Sequence, residues 1–259
     1  MISELVILGR TVPVYGLIGI FGICLSLAYA LFSCKRFGLS RDDTLYIFVF
    51  GCIGAAVGAK LLYLLVSAEE IYRDIISGDL SMQMIAVKYI SGGMVFYGGF
   101  IGALIAGRYV AGTYGKNIVD FFPVLVPGFA LAHGIARLGC LLVGCCYGIP
   151  TTGRIAVVYH SSQIAPDGVP LIPVQGMEAL GEIIIFFVLI YISRHTVDRA
   201  RILYAYILMY APMRFCMEFL RGDEARGAFM FFSVSQWISL LLIAAVVIRM
   251  YIRRKEVQT

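Results

Sequence analysis

The sequence predicts an all-α integral membrane protein: a seven-transmembrane helix bundle forming a single membrane domain over residues 1–259. Three observations lead there. Of the 259 residues, 60% are hydrophobic and only 14% are charged, against about 25% charged in an ordinary soluble domain. Mean hydropathy is +0.88. Long apolar runs recur along the whole chain, whereas a transmembrane barrel would show alternating segments of about ten residues.

Taken in order, spans are expected at 14–33, 44–66, 95–114, 119–143, 177–193, 202–220 and 230–250. The first is longer than a signal-peptide core and no clear small-residue cleavage site follows it, so it reads as a retained span. Residues 67–94 are amphipathic and end in Gly92-Gly93, which suits a segment lying on the membrane surface or re-entering it. The third span carries Gly98, Gly99, Gly102 and Gly107, a pattern for close helix packing. The fourth is interrupted by Pro123, Pro127 and Gly128, tolerable where neighbours satisfy the freed carbonyls. Residues 147–176 are the longest polar connection and form a small cap between spans four and five. No internal repeat or low-complexity tract is present.

Charge sets the orientation. Twelve basic residues, among them Lys35, Arg36, Arg194, Arg199 and Arg253, fall on one side, and six, among them Arg73, Arg154, Arg221 and Arg226, on the other. The positive-inside rule then puts the N-terminus out, the C-terminus in, and the cap outward. The net charge of +5 does not suggest nucleic acid, because the basic residues cluster at helix ends rather than in a stripe. The seven cysteines are scattered and mostly intramembrane, which argues against a secreted disulfide framework. Cys140, Cys145 and Cys146 match no common zinc spacing, so no metal is expected and the three read as small packing residues.

Function is sought at the intramembrane polar residues, since each costs several kcal/mol or more in lipid on scales that disagree widely. His133 and Arg137 are four residues apart and share one helix face. Arg137 reads as a site residue or as one half of an ion pair, perhaps with Glu218; His133 as a base or as an interior histidine bonded to a carbonyl. Arg214 and Glu218 follow in the sixth span, one turn apart, with Arg221 three residues on near its outer end. Two intramembrane arginines against one carboxylate leave a positive excess that a phosphate-bearing lipid would neutralise, unless these residues merely tie helices together. Lys60, after Gly51, Gly54 and Gly58, either snorkels to the interface or joins the site. Tyr97, between two Gly-Gly pairs, is an aromatic-belt anchor or a ligand contact.

At these residues the chain resembles the bacterial prolipoprotein diacylglyceryl transferase family, over most of its length. Tyr15-Gly16 resembles an early Tyr-Gly of that family, and Gly58-Ala-Lys60 its Gly-x-Arg. Gly92 through Gly99 resembles Gly-Gly-Met-x-x-His-Gly-Gly, and Arg137 through Gly148 the signature Gly-Arg-x-Gly-Asn segment. Pro173 through Glu178 resembles Pro-Ser-Gln-x-Tyr-Glu, and Arg214 through Asp223 the final Arg-x-x-x-Glu-x-x-Arg element. Departures stand among the matches: Tyr97 replaces the motif histidine, Cys140 the asparagine, Cys145 an acidic residue, Met177 a tyrosine and Lys60 an arginine.

The resemblance implies a multi-pass enzyme of the bacterial plasma (inner) membrane in lipoprotein biosynthesis. It would move a diacylglyceryl group from phosphatidylglycerol to the lipobox cysteine thiol of a prolipoprotein, releasing glycerol phosphate, with no cofactor. Arg137 and Arg214 then stabilise the leaving phosphate. Glu218 completes their cluster, His133 is a possible base in place of the missing histidine, and Tyr97 is a poorer base or positions the headgroup. Tyr15, Lys60, Gly98, Gly99, Gly139, Gln175, Glu178 and Arg221 are expected to contact substrate. The departures keep open a paralogue with another acceptor or headgroup, and a non-catalytic phospholipid-binding protein. Oligomeric state is not legible.

Overall fold

The computed structural model describes residues 4–7, 10–160, 162, 164–223 and 228–258. Helix dominates. The helices are α1 (Val14–Ser33), α2 (Arg41–Val66), α3 (Ala68–Ser77), α4 (Met82–Ser91), α5 (Phe96–Thr113), α6 (Phe122–Val143), α7 (Val174–His195), α8 (Ala200–Glu218) and α9 (Val234–Gln258). Three short antiparallel ladders accompany them: β1 (Glu4–Ile7) with β2 (Arg10–Pro13), β3 (Val157–Val158) with β4 (Pro170–Leu171), and β5 (Ala228–Phe229) with β6 (Phe232–Ser233).

Each of the seven expected spans corresponds to one long helix. Ends differ where polar residues continue a helix past its apolar stretch. Ser40 caps α2, its hydroxyl accepting from the Asp43 amide, and Asp42 and Asp43 sit in the first turn, where carboxylates complement the helix dipole. The helix therefore starts at Arg41 rather than 44. On length and apolarity five segments suffice to cross a membrane: Val14–Phe37, Arg41–Val66, Ile118–Val143, Val174–His195 and Val234–Lys255. The pair α4 and α5, bent by 75° at Gly92-Gly93, makes a sixth if taken as one broken span. Helix α8 is long enough but carries Arg201, Arg214 and several tyrosines, which lower its hydropathy. The chain is thus a multi-pass membrane protein. Large apolar side chains such as Phe21, Phe32, Leu65, Ile105, Phe187 and Leu241 stay exposed, a pattern that suits lipid and would be a liability in water.

The chain packs as two compact units, residues 34–121 and residues 1–33 with 122–259. In the first, α2 and α5 meet through four glycines. A Cβ at Gly102 would stand 2.1 Å from the Gly54 carbonyl oxygen, and one at Gly98 2.3 Å from that of Gly58. Backbone thus touches backbone, the small-xxx-small contact that drives association where no water is available to expel. Gly51, expected on this face, has no neighbour. Helix α3 pairs with α4 through Lys88, which bonds Glu70 Oε1 at 2.9 Å and Asp74 Oδ2 at 2.8 Å. Tyr89 also donates to Asp74.

In the second unit, α1 packs on α6 and α6 on α7. Pro127 lies inside α6 and has no amide hydrogen for the Pro123 carbonyl. The Tyr29 hydroxyl of α1 donates to that oxygen at 3.4 Å, so the neighbouring helix supplies the missing partner. Gly22 and Gly128 let the same two helices approach, against Ala132 and Ser26 respectively. The cap between α6 and α7 has its own small core of Tyr159, Ala165 and Leu171, with Tyr147, Val157 and Val169 around it. It ends at Pro173, so Gln175 and Glu178 belong to the first turns of α7.

Candidate functional site

The buried polar site grows from matched spacings on three helices. On α6, His133 and Arg137 are four residues apart; on α7, so are Glu178 and Glu182. Gly134 lets the two helices approach: a Cβ there would lie 3.1 Å from Glu182 Cβ and 3.2 Å from the Ala179 carbonyl oxygen. The pairs then meet as rungs of an antiparallel ladder. His133 Nδ1 lies 2.6 Å from Glu182 Oε1 and Arg137 Nε 2.9 Å from Glu178 Oε2.

Helix α8 adds a third rail at the same spacing, with Tyr206, Tyr210, Arg214 and Glu218. The Tyr206 hydroxyl donates to Glu182 Oε1 at 3.2 Å. The Tyr210 ring lies edge-on to His133, 5.4 Å between centroids. Arg214 reaches Glu178 Oε1 at 3.3 Å, Glu218 Oε2 at 2.5 Å and the Ser235 hydroxyl of α9 at 3.3 Å. Glu178 therefore bridges the two arginines with one oxygen each. Glu178, Glu182 and Arg214 are buried, and an unpaired charge there would be strongly destabilising.

This geometry corrects two expectations. Arg137 pairs with Glu178, not with Glu218, which serves Arg214. The positive excess expected from two arginines and one carboxylate is offset by Glu178, a second carboxylate between them. What survives is donor capacity. Arg137 commits only its Nε, and its two terminal nitrogens have no partner among the described residues. His133 lies one turn further along α6 from the cap than Arg137, against Phe129 and Tyr210, with Nδ1 committed to Glu182. His133 is thus an interior residue whose ring stands beside a carboxylate rather than a carbonyl.

At the cap end of α6, Gly139 receives Tyr15 of α1: a Cβ at Gly139 would lie 3.3 Å from the Tyr15 ring. Gln175 is fully buried and donates through Nε2 to the Cys145 carbonyl at 2.8 Å. It is thereby a support of the turn after α6. Arg221 forms a two-pronged pair with Asp223, at 3.0 and 2.9 Å. Burial raises the Asp223 carboxyl above its ordinary range, outweighing the opposite pull of Arg221. Arg226 falls outside the described residues.

Lys60, Tyr97, Gly98 and Gly99 belong to the unit of residues 34–121. Lys60 neither snorkels outward nor meets an acid: Nζ donates to the carbonyls of Tyr89, Gly92 and Gly93 at 3.0, 3.0 and 3.3 Å. It closes the C-terminal end of α4 and holds the bend before α5. Gly98 and Gly99 face the backbone of α2, so the close approach they permit is used for helix packing. Tyr97 is half-buried on α5, its ring edge-on to Phe96.

A family model described as prolipoprotein diacylglyceryl transferase matches residues 4–252. The chain belongs to this family. Among similar proteins, phosphatidylglycerol–prolipoprotein diacylglyceryl transferase 2 of Clostridium perfringens is 29% identical over 92% of this chain and 89% of its own length. The phosphatidylglycerol–prolipoprotein diacylglyceryl transferase of Clostridium tetani is 34% identical over 81% and 80%. That of Finegoldia magna is 28% identical over 97% and 95%.

For this diacylglyceryl transferase family member, the structure gathers Arg137, Arg214, Glu178, Glu218 and His133 into one network and places Tyr15, Gly139 and Gln175 beside the cap end of α6. Sequence reasoning missed Glu182, Tyr206, Tyr210 and Ser235. Glu182 was legible, an acid inside an apolar run one turn after Glu178. The tyrosines were hidden because α8 carries many, and only packing distinguishes those that face α6 and α7.

Proposed function

We propose that this chain is a phosphatidylglycerol–prolipoprotein diacylglyceryl transferase of the bacterial plasma membrane. It moves diacylglyceryl from phosphatidylglycerol to a lipobox cysteine thiol and releases glycerol phosphate. Family membership over nearly the whole chain supports the reaction. The observation that carries the site is the buried Arg137–Glu178–Arg214 bridge with two uncommitted guanidinium nitrogens on Arg137. A planar fork of that kind binds a phosphate through parallel hydrogen bonds, and in a low-dielectric site it stabilises charge that develops as phosphate leaves. Glu178 holds both arginines in place before lipid arrives. Tyr15, beside Gly139, is assigned to the headgroup, and Arg221, paired with Asp223, to the cap end of the site. Lys60, Gly98 and Gly99 build the α2–α5 scaffold of their own unit, on which Tyr97 stands. The asymmetry of basic residues supports an outward cap, where a translocated acceptor would arrive.

The test is lipidation of a lipobox peptide by purified protein in phosphatidylglycerol vesicles, read by mass spectrometry. A peptide gaining one diacylglyceryl group, with the gain lost in Arg137→Ala and Arg214→Ala, is the expected result. Well-folded protein that yields no lipidated peptide with any phospholipid overturns it. A second reading, a paralogue with another acceptor or headgroup, is favoured by Tyr97, Cys140 and Cys145 standing where the family has histidine, asparagine and an acid. Headgroup release without peptide lipidation would select it.

A further inference from the structure

The reaction needs an acceptor thiolate, and the residues named so far do not provide one. Tyr97 stands in place of the motif histidine, and His133, beside Glu182, lies two turns back along α6 from Cys140. A free thiol titrates near 8.5, leaving only a few per cent as thiolate at neutral pH.

Beyond Val143 the chain turns sharply. Gly144 has φ +84 and Cys146 φ +57, and a non-glycine residue in the left-handed region is strained. The turn is held from several sides. Gln175 bonds the Cys145 carbonyl, the Tyr159 hydroxyl the Leu141 carbonyl at 3.0 Å, Ser162 the Val143 carbonyl at 3.3 Å, and the Gly222 amide the Tyr147 carbonyl at 2.9 Å. Its outcome is that the sulfurs of Cys140, Cys145 and Cys146 all lie within 4.8 Å of one another. A zinc–sulfur bond of about 2.3 Å with tetrahedral angles places bonded sulfurs about 3.8 Å apart, so only a small inward movement is required. No fourth histidine, cysteine or acid joins the group among the described residues. Three protein ligands and one open position distinguish a reactive zinc site from a closed structural one. Three thiolates and Zn2+ carry one net negative charge, and Arg137 stands one turn before Cys140 on the same face of α6.

We propose that Cys140, Cys145 and Cys146 form a three-thiolate zinc site whose open position binds the acceptor thiol beside the Arg137 phosphate site. This rests on the transferase reading above. A thiol coordinated to zinc is deprotonated, and its proton passes to solvent. The thiolate sulfur forms a bond to the glycerol carbon as the carbon–oxygen bond to phosphate breaks. The electron pair goes to the phosphate oxygen, and glycerol phosphate leaves from Arg137. The thioether product is neutral and a weaker ligand, so it departs.

The experiment titrates zinc into full-length protein in detergent with a non-thiol reductant, against a chromophoric chelator. One equivalent is expected. Affinity should fall by about 100-fold or more in Cys140→Ser, Cys145→Ser and Cys146→Ser, and hold in Cys24→Ser and Cys216→Ser. Cobalt in place of zinc should show sulfur-to-metal charge-transfer bands that change on adding lipobox peptide, but not on adding its serine analogue. Equal zinc binding by the triple serine variant, still monodisperse, overturns the site. So does a 2 Da mass deficit in the native protein that places two of the three cysteines in a disulfide. A cobalt spectrum indifferent to the peptide cysteine overturns thiol capture. Zinc bound and spectrum responsive, with no lipidated peptide formed, overturns the transferase reading and leaves the metal site standing.

Discussion

Replacing Glu178 with alanine removes the carboxylate that Arg137 Nε and Arg214 share at 2.9 and 3.3 Å. The two arginines fare differently. Arg214 retains Glu218 and Ser235. Arg137, whose side chain is only 15% exposed, retains no partner among the described residues. Leaving a buried charge unpaired costs about 3–5 kcal/mol, so Glu178→Ala should lower the apparent Tm by several degrees. Glu178→Gln keeps the shape and an acceptor oxygen and should lose less. A phosphate bound at Arg137 replaces the missing negative charge, so glycerol phosphate should raise the Tm of Glu178→Ala by more than that of the native protein. The assay is thermal loss of monodisperse protein in detergent, with and without glycerol phosphate. A Glu178→Ala variant as stable as the native protein would refute the shared-carboxylate argument, and equal stabilisation of both by glycerol phosphate would refute the phosphate site.

Three further outcomes are expected. Arg137→Lys keeps charge but loses the fork, and should lose on the order of 100-fold in lipidation rate, as when one transition-state donor is removed; a rate within threefold of native protein, by peptide mass spectrometry, would count against it. Gly102→Val puts a branched side chain where a Cβ alone stands 2.1 Å from the Gly54 carbonyl, so the yield of monodisperse protein should collapse, while Gly112→Ala, with open space around it, should express normally. Asp74 is held below its ordinary range by hydrogen bonds from Lys88 and Tyr89. Its contribution is therefore complete above the ordinary aspartate range and lost as pH falls through the depressed value. Nitroxide labels at Ile76 and Met84 should keep one narrow distance distribution at neutral pH and broaden only in strong acid, and broadening near neutrality would contradict the pairing.

Much of the fold was legible because lipid imposes a simple rule: a segment that crosses must be helical and apolar. The glycines of the third span were read as packing residues, and they pack. Helix ends were less legible, since Ser40 with Asp42 and Asp43 extends α2 through capping and dipole effects that hydropathy does not register. The site was half legible. Arg137, Arg214, Glu218 and His133 stood out as costly intramembrane groups, but Glu178 was read as a substrate contact rather than a counter-charge and Glu182 was passed over, so the charge balance came out wrong.

The sequence by itself determined the solvent, the helical class, the family and the residues whose burial in lipid demands a partner. Each follows from composition or from spacing along one helix. Which partner each residue takes was decided only by tertiary structure, because that depends on the approach of different helices. Gly134 lets α7 close on α6, and Glu178, rather than Glu218, then reaches Arg137. Likewise, the spacing of Cys140, Cys145 and Cys146 predicts no metal. A left-handed turn pinned by Gln175, Tyr159 and Gly222 brings their sulfurs together, and linear spacing does not register a turn held in place by residues far along the chain.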